Sequence, residues 1–221
     1  MLLVSREFTA IVILSCLYLF LFCKLSYKKV ILIILITLTT TSPYLIRNYI
    51  VFEKFIMHAG LGYNLWKGNN PKSKVEGFET PDKNLKYTIQ KIPKDKFYRI
   101  NENKIYMDVA IKNIKDDPKK YLVLYIKKTV SFFFIDLESS YPNYYNPIHY
   151  IPILILGITS IIGIFLSNKK SLNFNYILLI LSFYIFTFSI FAILPRYKIY
   201  IIPFQIIFSN IFISNIIKKN I

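Results

Sequence analysis

The stretch VILIILITLTTTSPYLI, Val30 to Ile46, runs for seventeen residues without a charge or a glycine. A helix of that length spans about 25 Å, close to the thickness of a bilayer's hydrocarbon core. Helices in soluble cores are seldom apolar on every face. Four more uncharged runs flank it, Phe8–Cys23, Tyr150–Ser167, Tyr176–Leu194 and Ile199–Ile217, in a chain of 221 residues that is 54% hydrophobic. The pattern predicts an all-α polytopic membrane protein with about five transmembrane helices. Residues 1–46 form a hairpin (helices at about 8–23 and 30–46). Residues 47–149 form one large region between spans, and 150–221 hold three helices at about 150–167, 176–194 and 199–217. A secretory signal peptide is the alternative for the first run. Against it, Arg6 is offset by Glu7 and no small-x-small cleavage site follows Cys23.

Orientation follows from lysines in the short connections. Lys24, Lys28 and Lys29 lie in one, Lys169 and Lys170 in another, and Lys218 and Lys219 close the chain. Alternating spans put all three groups on the cytoplasmic side. The N-terminus, the large region and the Arg196–Lys198 turn then lie outside. The net charge of +16 does not point to nucleic acid. Seven of the lysines are accounted for by topology, and the large region mixes eighteen basic with eleven acidic residues. No basic stripe with interleaved aromatic rings emerges, so no nucleic-acid partner is expected. Cys16 and Cys23 sit seven apart in one apolar run and read as packing residues. With only His58 and His149 and no thiol in the large region, neither a metal site nor a cofactor is expected.

Within the large region, Asn69-Asn70-Pro71, Glu76-Gly77 and Thr80-Pro81-Asp82 are turn signals, so 60–93 is expected to be mostly irregular or short strand. Helices are expected at about 102–115 and 118–135, the second capped by Asp117 with Pro118 at its first position. That second helix carries Lys120, Lys127 and Ser131 as a narrow polar stripe on an otherwise apolar surface. Two central lysines fit an amphipathic helix lying in the membrane interface. A sixth span is the alternative, and it would turn the last three helices over.

Catalytic templates are scarce, with no Walker loop, Gly-x-Ser-x-Gly, His-Glu-x-x-His or Rossmann fingerprint. Every acidic residue except Glu7 lies in the large region, which removes the usual anchor of a proton- or cation-coupled transporter. What remains is a set of polar and aromatic residues near the outer interface. Arg47 and Arg196 have the planar fork that grips phosphate. Trp66 and Tyr197 present flat faces suited to a sugar ring. Asn48, Asn64, Asn69 and Asn70 can donate to and accept from hydroxyls. Such Trp, Tyr and Arg residues also serve as plain membrane anchors.

The run SPYLIRNYIVFEKFIMHAGLGYNLWKGNNP, Ser42 to Pro71, resembles a signature of bacterial family-39-like glycosyltransferases. These are GT-C relatives of the protein O-mannosyltransferases and the lipid A aminoarabinose transferase. Weaker similarity continues through Glu102–Phe134 and ends at Arg196-Tyr197 and Pro203, matching the family's C-terminal half over nearly the whole chain. The resemblance implies a GT-C-like C-terminal part in the bacterial inner membrane, with its N-terminus outside and C-terminus in the cytoplasm. It implies sugar transfer from a polyprenyl-phosphate-linked donor at the outer face. Arg47 and Arg196 would bind donor phosphate, and Asn48, Asn64, Trp66, Asn69, Asn70 and Tyr197 would shape the cleft. The partners implied are that lipid-linked sugar, membrane lipid and an N-terminal-half subunit.

The family places its catalytic aspartate in the first outer loop of its N-terminal half. Here the first helix is followed only by KLSYKK, Lys24 to Lys29, which has no carboxylate. The expectation is therefore a split subunit, a truncated product or an incomplete sequence, inactive alone and without an assignable base. Glu53, Glu76, Glu79 and Asp82 are acidic candidates that nothing in the sequence ranks. A non-catalytic membrane-anchored binding or assembly protein on the same architecture is the alternative, and a relic without function is a third.

Overall fold

The computed structural model describes residues 6–24, 26–54, 60–167 and 171–220, without the side chains of 6–10, 219 and 220. Expectations resting on His58, Lys169 and Lys170, or on the side chains of Arg6, Glu7 and Lys219, lie outside the described residues. Among the described residues there are ten helices and no strand. They are α1 (Arg6–Phe22), α2 (Tyr27–Phe52), α3 (Leu61–Gly68), α4 (Lys83–Gln90) and α5 (Tyr98–Asp116). Then come α6 (Pro118–Phe133), α7 (Pro147–Leu166), α8 (Leu172–Phe188), α9 (Pro195–Lys198) and α10 (Ile202–Asn220). All five apolar runs are helical. Two helices, α2 and α7, are long and apolar enough to cross a membrane, while Ile11–Phe22, Leu172–Phe188 and Ile202–Lys218 are apolar but shorter.

The chain divides into two compact units, Met1–Trp66 with Glu79–Ile111, and Lys67–Phe78 with Lys112–Ile221. In the first, α1 lies against α2. Helix α2 tolerates a run of hydroxyls because each is satisfied inside the helix. Thr37, Thr40 and Thr41 donate to carbonyls one turn back, at 2.8, 3.0 and 2.9 Å. Pro43 lies inside this helix and has no N–H for the carbonyl of Thr39, and the Ser42 hydroxyl donates to that carbonyl instead, at 2.9 Å. The helix does not stop at Ile46 as expected. It runs one and a half turns further, past Arg47 and Asn48, until Glu53 takes the left-handed conformation at φ 53°.

The expectation of irregular or strand structure over 60–93 is corrected, because α3 and α4 occupy much of it. Asp82 caps α4 by accepting from the N–H of Leu85 at 2.7 Å. Helix α3 exists because its apolar face has somewhere to go. Trp66, Leu85, Ile89, Ile92, Tyr106 and Ala110 form one buried cluster. Gly62 lets α3 approach α5 backbone to backbone: its N–H donates to Asn103 Oδ1 at 2.6 Å, and a Cβ there would strike the Asn103 carbonyl.

The second unit is built around Phe132, Phe174, Leu181, Tyr184, Ile185, Ile193, Ile201 and Phe208. Helix α7 packs along α10. Its buried face is small, with Gly157, Ser160 and Gly163, and a Cβ on Gly163 would meet the Phe208 carbonyl. Thr159 and Ser209 join hydroxyls across that seam at 2.8 Å. Helix α8 ends at Phe188, six residues before the expected Leu194. Ala192 and Ile193 leave the helix to bury themselves, and the Ile193 N–H donates to the Val75 carbonyl at 2.8 Å. On α6, Ser131 and Lys128 turn inward while Lys120 and Lys127 stay outside, so the expected stripe of Lys120, Lys127 and Ser131 is split.

Candidate functional site

The polar site of the second unit forms where α6 stops. Phe134 caps that helix with its carbonyl exposed to a new donor. Pro195 starts α9, a single turn that ends in Lys198. The Lys198 ammonium donates to the Phe134 carbonyl at 3.0 Å and to the Tyr144 hydroxyl at 3.1 Å. A cation at the carbonyl end of a helix is favoured by the helix dipole. The same Tyr144 oxygen accepts the Asp136 N–H at 3.0 Å.

Asp136 is only 5% exposed. Its Oδ1 accepts the N–H of Glu138 at 2.9 Å, while its Oδ2 is buried with no hydrogen-bond partner among the described residues. A buried oxygen of that kind costs stability, and native structures keep few of them. Glu76 stands beside it, held by the Ser139 hydroxyl and by the N–H and hydroxyl of Ser140 at 3.2 and 2.8 Å. Glu76, Ser131, Asp136, Tyr144, Pro195 and Lys198 line a small cleft with room for about one water or hydroxyl.

Burial dominates the electrostatics. It pushes the Asp136 carboxyl above the usual carboxylate range, with the Glu138 N–H and, more weakly, Lys198 opposing the effect and the neighbouring Glu76 charge adding to it. Burial also lowers Lys198 to about 8, although Asp136 and Glu76 both favour its charged form. Tyr144 is raised, again chiefly by burial. The cleft thus pairs a carboxyl that resists ionising with an amine that readily gives up its proton.

The structure distributes the sequence-predicted residues unevenly. Arg47, Asn48, Asn64 and Trp66 belong to the first unit, and Asn69, Asn70, Arg196 and Tyr197 to the second. Arg47 is exposed on α2 and its guanidinium donates to the buried Asn48 side chain at 3.3 Å. Asn64 is exposed on α3. Trp66 is 3% exposed, with its ring 4.9 Å from that of Tyr106, so it is a core residue and its faces are not open to a sugar. Asn69 donates to the Ile190 carbonyl at 2.7 Å and Asn70 to that of Phe78 at 2.9 Å. Both amides tie the 67–78 segment into its unit, and neither faces the cleft. Arg196 is exposed, 5.5 Å from the Tyr197 ring, and precedes Lys198 by two residues.

Among the acidic candidates, Glu53 pairs with Lys96 at 2.7 Å, Asp82 is a helix cap and Glu79 is exposed, while Glu76 lines the cleft. Asp136 was not visible as a site residue in the sequence. The available signal was a single carboxylate directly after the apolar run Phe132–Ile135. Lys128, fully buried and donating to the Gly68 carbonyl at 2.8 Å, was likewise missed. No family model, curated protein or solved structure matches this chain.

Proposed function

We propose that this chain is a membrane glycosyltransferase of the GT-C type that moves a sugar from a polyprenyl-phosphate donor to an acceptor hydroxyl at the outer face. The observation that carries the reading is the Oδ2 of Asp136, buried without a partner among the described residues in a cleft shared with Lys198. Asp136 takes the proton of the acceptor hydroxyl, whose oxygen forms the new bond to the sugar's anomeric carbon. The bond from that carbon to the phosphate oxygen breaks, and polyprenyl phosphate leaves with the electron pair. Lys198 and the exposed Arg196 meet the developing phosphate charge. Apolar helices in the same unit, α7, α8 and α10, would hold the polyprenyl chain. The five apolar helices would span the membrane with the N-terminus outside, the C-terminus in the cytoplasm and α6 in the interface.

The test is transfer to acceptor in native membranes, where any additional segment or subunit is present. Asp136→Asn is expected to lower transfer by at least about 100-fold, the usual share of a general base, with insertion unchanged. Arg196→Ala is expected to weaken donor binding. Full transfer by Asp136→Asn removes Asp136 as the base. The small size of the cleft favours a second reading, a non-catalytic binding protein on the same architecture. Polyprenyl-phosphate binding without turnover, in those same membranes, would select it.

A further inference from the structure

A separate feature of the second unit, unused by the glycosyl-transfer reading, lies along α6. A cleft of about 450 Å³ opens between Lys74, Lys119, Lys120, Lys127, Asp117 and Glu138. Both carboxylates are already committed. Asp117 caps α6 by accepting the Lys120 N–H at 3.1 Å, and Glu138 pairs with Lys127 at 2.6 Å. The Lys120 ammonium is held in place by the Pro71 carbonyl at 2.9 Å. Counting charges, four lysines face two carboxylates, so the cleft is cationic.

The outer surface of α6 beside this cleft is apolar. Leu122 is 60% exposed and Ile126 53%, with Val123 and Val130 nearly as open. At about 100° per residue these four fall within an arc of about 100°, opposite the buried side of Tyr121, Leu124, Lys128 and Phe132. Val123 belongs to both features, since it lines the cleft and sits on the arc. A free anion would need only the lysines. A cationic cleft that continues into an open apolar arc matches a molecule with an anionic head and a hydrocarbon tail.

We propose that the Lys74–Lys119–Lys120 cleft is a binding site for the headgroup of one anionic phospholipid, whose acyl chain lies over Val123, Ile126 and Val130. The site fixes α6 in the plane of the membrane and selects acidic over zwitterionic lipid.

The full-length chain in detergent, titrated with short-chain phosphatidylglycerol and phosphatidylcholine, tests this by native mass spectrometry. Wild type is expected to bind phosphatidylglycerol at least tenfold more tightly. Lys74→Gln with Lys119→Gln should lose about 30-fold of that affinity, as expected for two lysines near an anionic headgroup. The Arg pair at the same positions should restore binding, which separates loss of charge from loss of fold. Val123→Asn with Ile126→Asn should weaken the lipid while leaving inorganic phosphate binding unchanged. Equal affinity for the two lipids overturns the proposal, as does unchanged binding by the Gln pair. Displacement of the lipid by inorganic phosphate at matching concentration also overturns it, because the cleft would then read phosphate alone.

Discussion

Lys128 and Lys198 are two lysines that burial has brought within reach of neutral pH, to about 7 and about 8. Among the described residues no carboxylate compensates Lys128, and the Gly68 carbonyl and the Asn69 side chain receive its protons, at 2.8 and 3.5 Å. The consequence for stability has a definite sign. An unfolded lysine keeps its proton up to its ordinary value of 10.5, whereas folded Lys128 has lost it by about 7. Between those values the unfolded chain binds more protons, so stability rises with pH by up to about 1.4 kcal/mol per unit. Below about 7 the penalty is fully present. Tm in detergent is expected to climb from pH 7 to 9, with Lys198 adding to the climb above about 8, and Lys128→Met should flatten it between pH 7 and 8. A wild-type Tm that stays level over that range would show Lys128 to be charged throughout. For Lys198 the readout is activity. If its ammonium meets the donor phosphate, transfer falls as pH rises through about 8, and Lys198→Arg moves that fall to higher pH. The acid limb belongs to Asp136 and should lie above the ordinary carboxylate range.

At the scale of elements, α7 owes its packing along α10 to small residues, beside the core of large side chains that holds the rest of the unit. Gly157, Ser160 and Gly163 make one buried side of α7, and large exposed residues such as Ile151, Ile155, Ile158 and Phe165 make the other. Between helices in lipid the drive is close backbone approach, since hydrocarbon outside is as apolar as the side chains within. Gly163→Val would place branched carbon against the Phe208 carbonyl. It is expected to destabilise the protein by about 2 kcal/mol or more, the cost of overpacking against a backbone that has no rotamer to yield. Thermal unfolding in detergent, compared with Ala at the exposed Ile158, measures it. Much of this level is legible in sequence, because the uncharged runs and the Asp117-Pro118 start are local signals. Helices α3 and α4 were not. Turn residues at 69–71 and 80–82 lie between them, and their helicity depends on the Trp66–Tyr106 cluster, which joins residues forty apart.

At the scale of the whole molecule, topology is the quantity to measure. The five spans proposed above would put the chain ends on opposite sides, so under that proposal a C-terminal reporter should be active in the cytoplasm and one inserted near Lys94 should be active outside. A C-terminus outside would make α6 a sixth span and would remove the interfacial role proposed for it.

Composition and charge by themselves determined that this chain is helical, which segments are apolar, and where the lysines of the short connections fall. Those are properties of consecutive residues, set by hydrophobic transfer and helix geometry. Only the tertiary structure decided that Trp66, Asn69 and Asn70 serve packing and backbone satisfaction. It alone brought Glu76, Asp136, Tyr144 and Lys198 to one cleft. The physical reason is that a carboxyl's burial and its orphaned oxygen depend on what surrounds it. Glu76 and Lys198 are 122 positions apart in the chain, and no local pattern encodes their meeting.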